Sequence, residues 1–208
     1  MMKRCIIITA LLDCRLFDVY QRCENDYIIC ADGGVLIAEK CGIVPDVVLG
    51  DLDSVETIDK KYNFIKHPKE KDDTDTLLCI KYGMEKGFKD FLIIGGIGGR
   101  LDHTVANLQT LAFCQDNGIK ATILSKDAVC TMISDGGRCE IPKMKGFYIS
   151  VFAYSDSCKG VSIKGTKYEL YDKELKNTFP LGVSNEFKDE KAVISVDKGK
   201  LLIIASRA

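Results

Sequence analysis

Aspartates stand where apolar runs of this chain stop. Asp32 follows Tyr27-Ile-Ile-Cys-Ala31, Asp51 and Asp53 follow Val47-Val-Leu-Gly50, and Asp72, Asp73 and Asp75 crowd into Lys71-Asp-Asp-Thr-Asp-Thr76. Asp102 stands behind a further segment, Gly95-Gly-Ile-Gly-Gly-Arg-Leu-Asp-His103. Carboxylates gathered beside glycines suit a site for a metal and a polyphosphate. Mg²⁺ takes one or two protein carboxylates and keeps water and substrate phosphates in the rest of its shell.

Each cluster has a chemical reading and a purely structural one. Residues two apart on an extended segment share a face, so Asp51 and Asp53 can meet one hydrated ion; the same residues fit a turn with Ser54 as a helix cap. Asp32-Gly33-Gly34 either lets backbone N–H groups approach an anion or makes a tight strand-to-helix turn with Asp32 as N-cap. Asp72, Asp73 and Asp75 suit the dipole of a helix that starts there, but they also repel one another. A divalent cation or a cationic substrate would relieve that repulsion, which favours the functional reading.

Gly95, Gly96, Gly98 and Gly99 imply a sharp bend or a close ligand approach, with phosphate the natural ligand. The loop lacks the dinucleotide fingerprint, whose third glycine would fall at Leu101, and it lacks the Gly-Lys-Ser/Thr ending of a Walker loop. Arg100 can instead give phosphate oxygens a fixed charge, and Asp102 can hold a metal or orient a water in its shell. His103 can cap or pack. Gly182-Val-Ser-Asn-Glu-Phe187 offers a hydroxyl and an amide suited to a polar heteroaromatic ring, or forms an ordinary turn.

These groups need a scaffold. Short apolar runs at 4–9, 27–30, 46–49, 91–94 and 120–124 read as buried parallel strands. Between them, 35–41, 74–86 and 102–115 read as helices, the last with Leu101, Val105, Leu108 and Ala112 on one face. Strands alternating with helices predict an α/β layer. Beyond residue 125 the runs at 130–133, 147–154, 161–164, 192–196 and 201–205 form an all-β pattern. The last two flank Asp197-Lys-Gly-Lys200, which reads as a hairpin connection. The expected domains are therefore 1–125, α/β with a mainly parallel sheet, and 126–208, all-β.

Composition narrows the classes. The 208 residues are 46% hydrophobic, enough for a packed core, and Lys+Arg of 29 against Asp+Glu of 30 leaves a net charge of -1. That balance gives no global field for nucleic acid or an anionic membrane. The apolar run at 5–8 is followed by Asp13 and Arg15 and reads as a first strand rather than a secretory signal. No run approaches the roughly 20 apolar residues that cross a bilayer, so a cytoplasmic location is expected. Ten cysteines, scattered from Cys5 to Cys158 without a Cys-x-x-Cys pair, read as small core residues rather than a disulfide framework or a zinc site.

In order, Ala31-Asp-Gly-Gly, Gly50-Asp-Leu-Asp-Ser, Lys71-Asp-Asp-Thr-Asp-Thr, Gly95-Gly-Ile-Gly-Gly-Arg-Leu-Asp-His and Gly182-Val-Ser-Asn-Glu-Phe resemble the thiamine pyrophosphokinase family. The resemblance implies a homodimer, with its site at the subunit interface, that moves the terminal pyrophosphoryl group of ATP to the hydroxyl of thiamine, with Mg²⁺ as cofactor. It implies an N-terminal α/β domain for nucleotide and a C-terminal β-sandwich that helps bind thiamine. By motif, Asp51, Asp53 and Asp75 resemble the carboxylates around metal and polyphosphate. Asp102 joins them, and Asp32, Gly33, the glycines and Arg100 of the 95–100 loop and His103 resemble nucleotide contacts. Lys71, Asp72, Ser184 and Asn185 resemble thiamine contacts, and Asp73 or a neighbour the proton acceptor. The chain has no tryptophan, and some eukaryotic relatives place one against thiamine; Phe187 is the candidate replacement.

Two other readings compete. A haloacid-dehalogenase-like phosphatase would use Asp51 as nucleophile and Asp53 as general acid. This chain has Asp51-Leu-Asp-Ser-Val where that family has Asp-x-Asp-Gly-Thr, and a phosphatase explains neither the glycine loop nor 182–187. A sensing module without turnover is the second, and the intact acidic set disfavours it.

Overall fold

The computed structural model describes residues 4–50, 62–66 and 73–207. The chain divides into two compact units, Met1–Lys126 and Asp127–Ala208.

In the first unit, strands β1 (Cys5–Ile8), β2 (Tyr27–Ala31), β3 (Val47–Gly50), β4 (Phe64–Lys66), β5 (Asp90–Ile94) and β6 (Lys120–Leu124) lie in the order β6-β5-β1-β2-β3-β4. Every neighbouring pair is parallel. Strands β1 and β3 are buried at every position, as expected of strands covered on both faces. Their connections carry α1 (Leu16–Val19), α2 (Gly34–Lys40), α3 (Asp75–Glu85) and α4 (Leu101–Asp116).

Two glycines set how closely helices approach this sheet. A Cβ on Gly34 would stand 2.1 Å from the Ile8 carbonyl oxygen, and one on Gly83 would stand 2.5 Å from the Phe91 ring. Gly34 thus lets α2 pack closely against β1.

Only the far end of the face expected for α4 is covered: Ala112 is buried and Leu108 half-buried. Leu101 is 76% exposed and Val105 48%, while Asn107, Thr110, Leu111, Ala112 and Cys114 are buried. Asn107 and Thr110 are polar, so a count of apolar residues passes over them; both bond to carbonyls, Asn107 to Gly96 and Thr110 to Ala106.

In the second unit, β7 (Ala128–Ser134), β9 (Phe147–Ala153), β12 (Gly182–Glu186) and β14 (Lys200–Arg207) form antiparallel pairs in the order β12-β9-β14-β7. A second antiparallel sheet runs β11-β10-β13-β8, from β8 (Arg138–Pro142), β10 (Ser157–Lys164), β11 (Leu170–Lys176) and β13 (Lys191–Ser195). Ile149, Val151, Val161, Ile163, Ile194, Leu201 and Ile203 are among the residues of one shared core.

The expected terminal hairpin is corrected here: β13 and β14 do not pair, but belong to different sheets. The chain turns a corner between them, where Lys159 N–H donates to the Lys198 carbonyl and Gly199 N–H to Asp135 Oδ1 at 2.7 Å. Gly199 has φ +97°, and a Cβ there would lie 2.7 Å from the Ser157 carbonyl oxygen. Positive φ was legible at this glycine, but the same requirement serves a sheet-to-sheet corner as well as a hairpin.

All ten cysteines are present as thiols. Burial pushes Cys30, Cys114 and Cys130 up to about 12, which keeps them protonated at neutral pH.

Candidate functional site

The first unit's sheet reverses its order of growth at β1: β2, β3 and β4 extend to one side, β5 and β6 to the other. Crevices at the carboxyl ends of parallel strands form at such reversals. A cavity of about 530 Å³ lies there, lined by Thr9 to Leu11 after β1, Ala31 and Asp32 after β2, Gly96, Gly99 and Arg100 after β5, and Asp73 to Thr76 at the start of α3. His103 and Asn107 of α4 complete the lining.

The carboxylates of Asp32, Asp73 and Asp75 are therefore gathered from segments far apart in sequence. Asp32 takes the left-handed conformation, φ +46°, and its N–H donates to the Leu49 carbonyl at 2.7 Å. The same turn brings Asp32 against Gly50, where a Cβ would meet the Asp32 Cα at 3.0 Å. Asp75 opens α3, and Thr74 is the N-cap, its hydroxyl oxygen accepting from Leu77 N–H at 3.2 Å. The acidic segment thus sits at the positive end of a helix dipole, as its sequence predicts.

Asp73 has a partner the sequence did not reveal. Lys81, two turns along α3, places its Nζ 2.8 Å from Oδ1 and 2.6 Å from Oδ2 of Asp73. The same ammonium lies 5.9 Å from the centre of the Phe113 ring. The spacing of eight residues offered no local signal, because the pair meets only once Asp73 lies just ahead of the helix.

The glycine loop behaves as its composition implies. Gly95, Gly96, Gly98 and Gly99 all have positive φ, at 81°, 76°, 93° and 59°. At Gly95 a Cβ would also stand 2.0 Å from the Leu11 carbonyl oxygen. Asn107 Nδ2 donates to the Gly96 carbonyl at 2.7 Å from a buried position, fixing the loop to α4. An asparagine nearly two turns into a helix that follows such a loop is the signal that could have identified it.

Arg100 and Asp102 form an exposed pair, with Nε 3.1 Å from Oδ1, and Asp102 also accepts from His103 N–H at 3.0 Å. The Arg100 bond holds the Asp102 carboxyl below its ordinary range, so it stays charged. Arg100 and His103 line the cavity, whereas Asp102, Gly33, Gly95 and Gly98 are not part of its lining. Asp51, Asp53, Lys71 and Asp72 lie outside the described residues.

Ser184 and Asn185 lie in the second unit on β12. Ser184 is exposed and left-handed, φ +56°. Asn185 is 6% exposed and turned inward, donating through Nδ2 to Thr166 Oγ1 at 3.0 Å and to the Tyr168 carbonyl at 2.6 Å. Phe187 is half-buried against the core of that unit.

The groups lining the cavity are of the types that suit a polyphosphate carried with a hard cation, while among the described residues no three Asp, Glu, His or Cys side chains converge as a metal centre. The cavity's three carboxylates are oxygen donors, its glycine loop brings backbone close, and Arg100 adds positive charge. Oxygen donors of this kind fit Mg²⁺, which takes few protein ligands beside phosphate oxygens.

Known proteins match this chain along both units. A family model described as the catalytic domain of thiamin pyrophosphokinase matches residues 21–123, and one described as the vitamin B1 binding domain of thiamin pyrophosphokinase matches 138–201. The chain is 29% identical over 190 residues to thiamine pyrophosphokinase of Bacillus subtilis (strain 168), covering 88% of each protein. It is 26% identical over 207 residues to thiamine pyrophosphokinase 1 of Arabidopsis thaliana, covering 85% of this chain and 77% of that protein. The crystal structure of the enzyme from Bacillus subtilis superposes with a TM-score of 0.89 at 27% identity, covering 99% of this chain and 100% of that one. With both models of one family matched in order along the chain, it belongs to the thiamine pyrophosphokinase family.

Proposed function

We infer that this chain transfers the pyrophosphoryl group of ATP to the hydroxyl of thiamine, giving thiamine diphosphate and AMP. The observation that carries this reading is the ordered match to a catalytic and a vitamin B1 binding model of the same family. The carboxylate-lined cavity at the strand ends of the first unit supports it.

In the reaction the thiamine hydroxyl oxygen forms a bond to the β-phosphorus of ATP. The bond from that phosphorus to the oxygen bridging to the α-phosphorus breaks, and AMP departs with that oxygen. Asp75 and Asp32, with Asp51 and Asp53, are the residues we propose to hold Mg²⁺. Asp102, paired with Arg100, serves from the margin. Bound there, Mg²⁺ would neutralise charge on the polyphosphate. The 95–99 loop and Arg100 receive the phosphates, and His103 stands beside them.

Asp73 is the proposed acceptor of the alcohol proton, with Lys81 fixing its direction. Positioning and electrostatics supply more of the rate than the base in transfers of this kind. Lys71 and Asp72, with Ser184, are the proposed thiamine contacts. We further propose that the enzyme works in the cytoplasm as a homodimer with its site at the subunit interface. The exposed Leu101 and Val105 on α4 support a partner surface.

Incubation with ATP, Mg²⁺ and thiamine, followed by chromatography, tests the reading. Thiamine diphosphate and AMP should appear in equal amounts. Inorganic phosphate with unmodified thiamine would favour the phosphatase instead, and no turnover at all would favour the sensing module.

A further inference from the structure

Asn185 has no hydrogen-bonding capacity left for a ligand. Its Nδ2 donates to Thr166 Oγ1 and to the Tyr168 carbonyl, and its Oδ1 accepts from Tyr168 N–H and from Glu186 N–H, each at 3.0 Å. A primary amide has two donor hydrogens and two acceptor lone pairs, and all four are engaged within the protein. Thr166 is fully buried, and it forms an isolated bridge with Phe187. The Asn185 side chain thus fastens the 166–168 loop along the end of β12.

The residue before it is the one in an unusual conformation. Between Gly182 and Asn185 the pairing of β12 with β9 slips: Gly182 pairs with Val151, and Asn185 pairs with Ile149. β12 therefore carries one extra residue, a bulge that re-aims side chains outward. Ser184 lies in that bulge at φ +56°, with its N–H donating to Ser150 Oγ at 3.0 Å. Gly182 approaches β9 so closely that a Cβ would meet the Val151 carbonyl oxygen at 2.4 Å. Val183 and Ser184 project to the surface, and among the described residues the Ser184 hydroxyl has no hydrogen-bond partner.

A left-handed non-glycine residue persists only where its surroundings over-determine it. Here Gly182 sets one side of the bulge, Ser150 holds its middle, and Asn185 closes the other side.

We propose that Asn185 is a positioning residue for thiamine recognition: by anchoring β12 to the 166–168 loop it holds the bulge that turns the Ser184 hydroxyl outward. The proposal rests on the reading of Ser184 as a thiamine contact. Asn185 then acts through Ser184, without touching the vitamin.

A double-mutant cycle on the full-length enzyme tests this, with KM measured for thiamine and for ATP in Ser184→Ala, Asn185→Ala and the double variant. Each single change should raise KM for thiamine about tenfold with a much smaller effect on KM for ATP, and the double variant should be no worse than the weaker single, because one removes what the other positions. Multiplied effects in the double variant would overturn the positioning role and leave the Ser184 contact standing. An unchanged KM for thiamine in Ser184→Ala would instead sink the contact itself, and the proposal with it. Should Asn185→Ala fail to fold, Ser150→Ala replaces it in the same cycle, since it removes the acceptor that holds Ser184 N–H. A thiamine KM unmoved by that change would count against the bulge as the device.

Discussion

Lys81 grips Asp73 through both carboxylate oxygens, at 2.8 and 2.6 Å, on the rim of a cavity that also receives Asp75 and Asp32. The pair is partly open to water, with side chains 42% and 24% exposed. Its contribution to stability is accordingly small, and its value lies in fixing the direction of one carboxylate.

Lys81→Met should therefore separate activity from stability. We expect kcat for thiamine diphosphate formation to fall about tenfold, as the proposed proton acceptor loses its orientation. The thermal midpoint should move little. A variant with unaltered kcat would show that the orientation of Asp73 is immaterial to the reaction.

Asp75→Asn tests the metal and polyphosphate assignment. The helix cap at Thr74 survives the change, so the fold should persist while turnover drops about a hundredfold or more. AMP release measured against Mg²⁺ concentration is the readout. Activity within a few fold of the parent would remove Asp75 from the site.

Gly96→Ala strains the loop in two ways. The backbone has φ +76°, and the new methyl would stand 2.7 Å from Asn107 Nδ2, the atom that holds the loop carbonyl. Urea unfolding should show a loss of about 1–3 kcal/mol. No loss would mean that the loop adopts a different path.

Acid sensitivity should trace in part to Asp26, away from the cavity. Burial pushes its carboxyl up, but Arg4, the Cys23 N–H and the Tyr20 hydroxyl outweigh that and hold it below its ordinary range. The folded state thus binds this proton less readily than the unfolded chain. The stabilisation is complete above the unfolded value of about 3.9 and is lost as pH falls through the lower folded one. Asp26→Asn should cost about 2 kcal/mol at neutral pH and flatten the acid limb of a stability profile. An unchanged acid limb would assign that limb to other carboxylates.

The parallel sheet was legible because strands buried on both faces must be apolar almost throughout, as Ile6-Ile-Ile8 and Val47-Val-Leu49 are. Among the strands that escaped notice, β4 is only three residues long, Phe64-Ile-Lys66, and others have sequences that alternate or are mostly polar. β11, Leu170-Tyr-Asp-Lys-Glu-Leu-Lys176, is an edge strand of its sheet with most residues exposed, and β8 alternates between covered and exposed positions, with Ile141 its one buried residue. Leu101 and Val105 marked an apolar stripe on α4, yet the helix buries the face that carries Asn107 and Thr110. Hydrogen bonds to carbonyls made polar residues acceptable inside, and hydropathy does not register that.

Composition and local spacing determined the class of each half and the positions of the glycine loop and acidic segments. They did so because burial on two faces, positive φ and carboxylate repulsion are local demands that residue types must meet. Only the tertiary structure decided that Lys81 would meet Asp73, that β13 and β14 would enter different sheets, and that Asn185 would face inward while Ser184 faces out. Those outcomes depend on which distant backbone groups arrive within about 3 Å of one another, a distance set by packing rather than by spacing along the chain.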